Sequence, residues 1–309
     1  MIYTVTLNPS LDYILHVPSL RLGEVNRADR ETITFGGKGI NVSIILQRLC
    51  CDNTTLGFIA GFTGDALQGL LKANSCKTRF ISLPHGLTRI NIKLASQQET
   101  EINAPGPQVD AASLAALYEI LDRLPREDTT LVLSGSVPSS LPDDIYESIL
   151  QRLAGKGIRF VVDAAGNLLL NVLKYHPFLI KPNHLEIGAL FDRPCDTLED
   201  VIFCSRELQK LGAQNILVSR AGDGAVLLTR EGEIFSCPAP KIQVLNSSGA
   251  GDSMLAGFLA GYAHSNGDYS QALITGIAAG SATAASICLA TGESILELKR
   301  KIGPVQNLK

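Results

Sequence analysis

Residues 246–254 read NSSGAGDSM and run straight into the apolar, small-residue stretch LAGFLAGYA at 255–263. A glycine-rich turn becomes a helix there, and one carboxylate, Asp252, stands at the junction. Backbone N–H groups freed by the turn Gly249-Ala250-Gly251, together with the positive end of the following helix dipole, would hold a phosphate or a developing negative charge. A carboxylate in the same turn could accept a proton. Taken alone, the motif equally allows a plain helix N-cap, because Asp and Ser are favoured at helix starts.

Outward from this junction, apolar β-branched runs alternate with amphipathic stretches along most of the chain. Strands are expected at 2–7, 54–60, 129–133, 158–162, 178–181 and 215–218, with helices at about 39–50, 65–74, 111–124, 142–154, 166–174, 197–211 and 249–264. Such alternation predicts β-α-β units and a mainly parallel sheet, whose ligands gather beyond the carboxyl ends of the strands. Two pieces break the rhythm. Residues 12–17 with 30–35, and 88–94 (TRINIKL) with 99–103, read as short polar-alternating strands outside the main sheet, forming either a lid over the site or plain edge strands. No internal repeat or low-complexity linker interrupts the chain, which is read as a single domain over 1–309 carrying lid strands from about 12–35 and 88–104.

Composition narrows the function classes. The chain has 309 residues, a net charge of −3, no Trp, and no basic block interleaved with aromatics, which gives no general attraction to nucleic acid or to an anionic membrane. Seven cysteines without CxxC spacing or clustered histidines argue against a disulfide framework or a zinc site. No basic residue precedes Arg21, so the start is not a signal peptide, and a reducing cytoplasm is expected. Residues 269–292 carry no charge, but Gly, Ala, Ser and Thr dominate them; they predict a close-packed buried helix rather than a membrane span. Five scattered histidines stand beside no nucleophile and receive no chemistry; the cysteines read as small buried hydrophobes, with Cys50-Cys51 open to oxidation if exposed.

A second motif is FGGKGINVS at 35–43. Gly36, Gly37 and Gly39 let backbone approach a ligand closely, Lys38 brings positive charge, and Asn41 offers donor and acceptor just inside a helix. The loop is not a P-loop, since neither Gly-Lys pair, at 37–38 or 155–156, is followed by Ser or Thr.

The pair GGKGINV at 36–42 and SSGAGDSM at 247–254 resembles the two signatures of the ribokinase-like sugar kinases, the phosphofructokinase B family. TLNPSLDY at 6–13, TRINIKL, SGSVPSSLP at 134–142 and KPNHLE at 181–186 extend the resemblance over essentially the whole chain. It implies an α/β ribokinase-like fold: a mainly parallel central sheet flanked by helices on both faces, with a small β-sheet lid. It also implies that ATP, with Mg²⁺, gives its γ-phosphoryl to a hydroxyl of a ketohexose phosphate. Fructose 1-phosphate is the expected substrate, tagatose 6-phosphate the alternative, and a non-catalytic sugar-phosphate or nucleotide sensor the reading from another class.

Residue by residue, the resemblance makes Asp252 the base and the amides of Gly249, Ala250 and Gly251 the anion hole. A loose phosphoryl-transfer transition state needs positioning more than strong basicity, so an ordinary aspartate pKa is expected to suffice. Asp12, Gly36, Gly37 and Asn41 would hold the sugar, Lys38 and Arg89 its phosphate, with Ser136 and its neighbour Ser134 adding contacts and Arg27 a weaker third cation. Lys181 would reach the nucleotide phosphates. Asn183 and Glu186, expected to share a helix face, would order Mg²⁺ largely through water; from the residues alone KPNHLE reads as a loop and an Asn N-cap. Ser219, Gly222, Gly224 and Gly280 would line the ATP, while Asp223 reads as a turn residue. A homodimer through the lid is the expected assembly, because exposed faces of small lid sheets pair well.

Overall fold

The computed structural model describes residues 1–98 and 100–308. Ten strands form one sheet in the order β14 (Gln306–Leu308), β13 (Ile234–Cys237), β12 (Ala225–Leu228), β11 (Asn215–Ser219), β10 (Leu179–Ile180), β9 (Arg159–Asp163), β8 (Thr130–Ser134), β1 (Ile2–Thr6), β4 (Asn53–Ala60) and β5 (Thr78–Leu83). Every pairing from β11 to β5 is parallel, and β12, β13 and β14 complete one edge as antiparallel neighbours. The six strands expected from sequence are all present. Strands β5, β12, β13 and β14 were not among them: they lie in the outer parts of the sheet and have either mixed exposure or runs of only four residues or fewer.

Side chains alternate between two cores because successive strand residues point to opposite faces. Leu131 and Leu133 enter one apolar cluster while Val132 enters the other; Phe160 and Val162 are likewise separated from Val161, and Ile216 and Val218 from Leu217. The first core is closed by α3 (Ala111–Asp122), α4 (Ile145–Leu153) and α7 (Leu198–Lys210), the second by α1 (Lys38–Arg48), α8 (Ala250–His264), α9 (Tyr269–Ala284) and α10 (Gly292–Lys299). Helix α2 (Gly61–Ala73) packs beside β4 and β5. The region 166–174 resolves into a single turn, Asn167–Leu170, and a 3₁₀ segment, Leu173–Tyr175, rather than one helix. The charge-free stretch forms α9 and lies on α8, where small residues permit close contact: a Cβ at Gly280 would stand 3.0 Å from the Ala250 carbonyl oxygen. Among the described residues no helix is long and apolar enough to cross a membrane.

The two irregular pieces pair into a separate four-stranded sheet in the order β3 (Arg30–Gly36), β2 (Ser10–His16), β6 (Arg89–Ala95) and β7 (Thr100–Asn103), as the lid reading required. The expected start of the last strand, at Glu99, lies outside the described residues. Register decides what each face carries. Ser10 pairs with Arg89 and Asp12 with Asn91, so Ser10, Asp12, Arg89, Asn91 and Lys93 share one face. Ile33, Tyr13, Ile92 and Ile102 form a row straight across the other.

Candidate active site

A polar cavity of about 680 Å³ opens where the lid meets the carboxyl ends of β1, β8, β10 and β11. Asp12, Gly37, Lys38, Asn41, Arg89, Ser136, Lys181, Asn183, Glu186, Ser219 and Asp252 all line it. It adjoins a second, largely apolar cavity of about 730 Å³, the two sharing Asn183, Ser219 and Gly251. Ile242, Val244, Met254 and Ile277 make the apolar walls of the second, and Gly222, Gly224, Ala250 and Gly280 also border it. Asp223 does not; it sits in a 3₁₀ turn facing Arg220 at 3.6 Å. Arg27 is exposed and lines neither cavity.

Asp252 is not a cap. Gly249, in the left-handed conformation at φ 77°, is the N-cap of α8, and no side chain caps that helix end. Asp252 falls in the first turn, 6% exposed, and accepts a 2.8 Å hydrogen bond from Asn41 Nδ2. Its pKa is pushed up to about 6, first by burial and then by the negative charge of Asp163, with Lys38, Asn41 and Lys181 opposing. The value stands above the ordinary 3.8 of an aspartate, more basic than the chemistry was expected to need. Around it the first helical turn leaves N–H groups without intrahelical carbonyls, and Gly249 and Gly251 face the polar cavity. The Ala250 amide is partly committed, donating to Ser247 O at 3.2 Å.

Asp163, which the sequence reading missed, organises the cations. Its carboxylate is 1% exposed and lies 3.4 Å from both Lys38 Nζ and Lys181 Nζ. Burial alone would raise its pKa, but the two ammonium groups outweigh this and hold it below the usual range. Lys38 is raised in turn, chiefly by Asp163. The signal was a strand read as ending at 162; the next residue, at the carboxyl end, was the one that mattered. Ser134 Oγ lies against the same carboxylate at 3.5 Å, so its part is beneath the cavity.

On the sugar-loop side, Asp12 Oδ1 accepts from Ser10 Oγ at 2.7 Å and from Asn91 Nδ2 at 3.2 Å. Gly36 makes no wall of the cavity. A Cβ there would collide with the Asp12 and Ser10 side chains, so only glycine lets the sugar loop lie against them. Gly37, at φ 111°, needs glycine for its backbone conformation. Arg89 donates from Nε to Asn8 O at 3.1 Å and from an Nη to Ser136 Oγ at 3.4 Å, bridging lid and sheet; burial lowers its pKa, with Asp12 opposing. Thr6 Oγ1 and Asn8 Oδ1 are buried behind the cavity wall against Gly39 and Gly106, without a hydrogen-bond partner among the described residues.

Asn183 and Glu186 do not sit side by side on a helix face. Asn183 is the N-cap of α6 (His184–Leu190): its Oδ1 accepts from the Glu186 amide and Glu186 Oε2 accepts from the Asn183 amide, both at 2.8 Å, a reciprocal capping box. One Glu186 oxygen stays uncommitted at the cavity. Among the described residues no group of three His, Cys, Asp or Glu side chains is gathered to hold a metal by itself. A hard cation here would draw most of its oxygens from phosphates and water, as Mg²⁺ does, and the oxygen-only donors fit it.

The family model described as pfkB family carbohydrate kinase matches residues 6–295. A 1-phosphofructokinase of Bacillus subtilis is 43% identical over 298 residues, covering 96% of this chain and 97% of that protein. A D-tagatose-1-phosphate kinase of Bacillus licheniformis is 38% identical over 287 residues, 93% of each. Among solved structures, the phosphofructokinase-2 from Escherichia coli superposes with a TM-score of 0.89 at 26% identity, covering 97% of this chain and 98% of that one.

Proposed function

We propose a substrate and a mechanism for this chain, which belongs to the pfkB family of carbohydrate kinases and is a phosphotransferase with an alcohol acceptor. The substrate is fructose 1-phosphate, its free primary hydroxyl accepting the γ-phosphoryl of ATP to give fructose 1,6-bisphosphate. One observation carries the chemistry: Asp252, buried and oriented by Asn41, stands beside the residues that the polar and apolar cavities share. A base there can reach an acceptor hydroxyl in one cavity while the donor lies in the other.

Asp12 holds sugar hydroxyls with the Gly37 backbone and Asn41, and Arg89 with Ser136 receives the phosphate already on the sugar. Lys38 and Lys181, held by Asp163, neutralise phosphoryl oxygens on the path of transfer, and the free amides at the start of α8 do the same from the other side. ATP occupies the apolar cavity through Ser219, Gly222, Gly224 and Gly280. Mg²⁺, held by Glu186 beside Asn183 and by the nucleotide phosphates, would supply charge neutralisation between them. Asp252 accepts the hydroxyl proton as the oxygen attacks.

A second reading is favoured by a named relative: the tagatose kinase carries its substrate's phosphate at carbon 1. Tagatose 1-phosphate is then the competitor, in place of the 6-phosphate expected from sequence. Steady-state assays with fructose 1-phosphate, tagatose 1-phosphate and tagatose 6-phosphate decide the order. The highest kcat/KM belongs to fructose 1-phosphate on this reading, and a higher value for either tagatose ester reverses it. The chain is further proposed to act as one domain and to form a homodimer through the outer apolar face of its lid, where Ile33 and Ile102 are 58% and 56% exposed.

A further inference from the structure

Lys93, on the inner face of the lid, has no role in the account above, yet it is among the most heavily engaged side chains of the site. Its side chain is 14% exposed. The ammonium lies 3.1 Å from Asp12 Oδ2, 3.6 Å from Glu101 Oε1 on the neighbouring lid strand, and 2.9 Å from Ser248 Oγ, to which it donates. Ser248 belongs to the turn that carries Gly249 and leads into Asp252, and its own amide is braced by Asn246 Oδ1 at 2.9 Å. Among the described residues, Lys93–Ser248 is the only side-chain hydrogen bond between the lid strands and residues 246–252. Arg89 makes the corresponding link on the opposite wall, to Ser136.

The one ammonium of Lys93 therefore touches both the sugar seat and the turn that bears the base. Asp12 Oδ1 is already filled by Ser10 and Asn91, so Lys93 fixes the remaining oxygen of the sugar-holding carboxylate. Its contact with Ser248 fixes the turn that bears the base. We propose that Lys93 is a positioning residue that latches the lid to the 246–249 turn, setting the separation between the Asp12 sugar seat and Asp252 and closing the site to water. This rests on the kinase reading given above. Burial would lower the Lys93 pKa, but Asp12 and Glu101 more than offset it, so the latch stays charged at neutral pH.

The test separates the latch from simple neutralisation of Asp12. Ser248→Ala removes only the hydrogen bond to the turn and leaves the Asp12 pair in place. It is expected to lower kcat roughly tenfold with little change in sugar-phosphate KM, and to raise the ratio of ATP hydrolysed to sugar phosphorylated. Lys93→Met is expected to lower kcat and raise sugar-phosphate KM, and Lys93→Arg to recover part of both. In the Lys93→Met background, Ser248→Ala should have no further effect on kcat, because the partner it loses is already gone. Turnover of a ketohexose phosphate that is abolished in Asp252→Asn upholds the kinase reading. With that in hand, a Ser248→Ala enzyme matching wild type in kcat and coupling, or additive single and double variants, overturns the latch alone. A wild-type protein inactive on every ketohexose phosphate overturns the kinase reading and the latch with it.

Discussion

The Asn41 side-chain amide donates a 2.8 Å hydrogen bond to Oδ2 of Asp252 across 211 positions of sequence. The bond joins the first turn of α1, which grows out of the sugar loop, to the first turn of α8, which carries the base. It aims one carboxylate oxygen and leaves the other toward the cavity. It also favours the charged form of a carboxylate that burial and Asp163 drive up to about 6.

Activity should follow that ionisation. Asp252 must be a carboxylate to take a proton, so kcat is expected to fall as pH drops through about 6. Asn41→Leu removes a donor that stabilises the charge and should move the acid limb to higher pH. A kcat profile flat from pH 5 to 8, or an unshifted limb in Asn41→Leu, would show that another group controls the chemistry.

Stability should move the opposite way from activity at the same residue. The folded state holds a proton on Asp252 up to about 6, whereas the ordinary value is 3.8, so stability falls as pH rises through that window and the whole penalty is present at neutral pH. Asp252→Asn should lower kcat by about 10³-fold and, at pH 7.5, stabilise the fold by on the order of 2 kcal/mol. Thermal melts at pH 7.5 and below pH 4 check both parts: the gain should vanish in acid, and a destabilised variant at pH 7.5 would count against the buried, charged carboxylate.

Arg89→Ala should raise KM for the sugar phosphate by roughly 30-fold while leaving kcat within a few-fold, the cost of losing a charge-assisted contact. Unphosphorylated fructose provides the control. Its kcat/KM should be almost unaffected by the substitution, and an equal loss on both sugars would remove Arg89 from the phosphate seat.

Glu186→Gln should raise the Mg²⁺ concentration for half-maximal activity roughly tenfold. Gln still completes the capping box, so the melting temperature should hardly change. A variant that melts early with an unchanged Mg²⁺ requirement would reduce Glu186 to its cap.

Ile33→Glu combined with Ile102→Glu should convert a dimer to monomers in sedimentation velocity, because the pair puts charge into the exposed row Ile33, Tyr13, Ile92 and Ile102. A wild-type chain that sediments as a monomer would dispose of the lid interface.

Much of the fold was open to reading along the chain, because hydrophobic periodicity is a local property. The buried parallel strands are rich in apolar and β-branched residues, and the lid strands betrayed themselves by interrupting the β-α rhythm with polar alternation. The outer strands β5, β12, β13 and β14 were hidden because short or half-exposed strands share their patterns with loops. Asp163 was hidden for another reason: nothing local distinguishes an aspartate at a strand end from a turn residue until two lysines from distant segments converge on it.

The sequence by itself determined the class of the sheet, the turn into helix at 249–252 and the residue types a phosphoryl-transfer site needs. Chemical type and local spacing are written in the order of residues. Only the tertiary structure decided that Asp252 is not a cap, that its pKa stands near 6, that Asn183 and Glu186 close on each other, and that Lys93 spans lid and turn. Those properties depend on which distant groups meet and how much water is left between them, and electrostatics in a buried site is set by that proximity rather than by sequence.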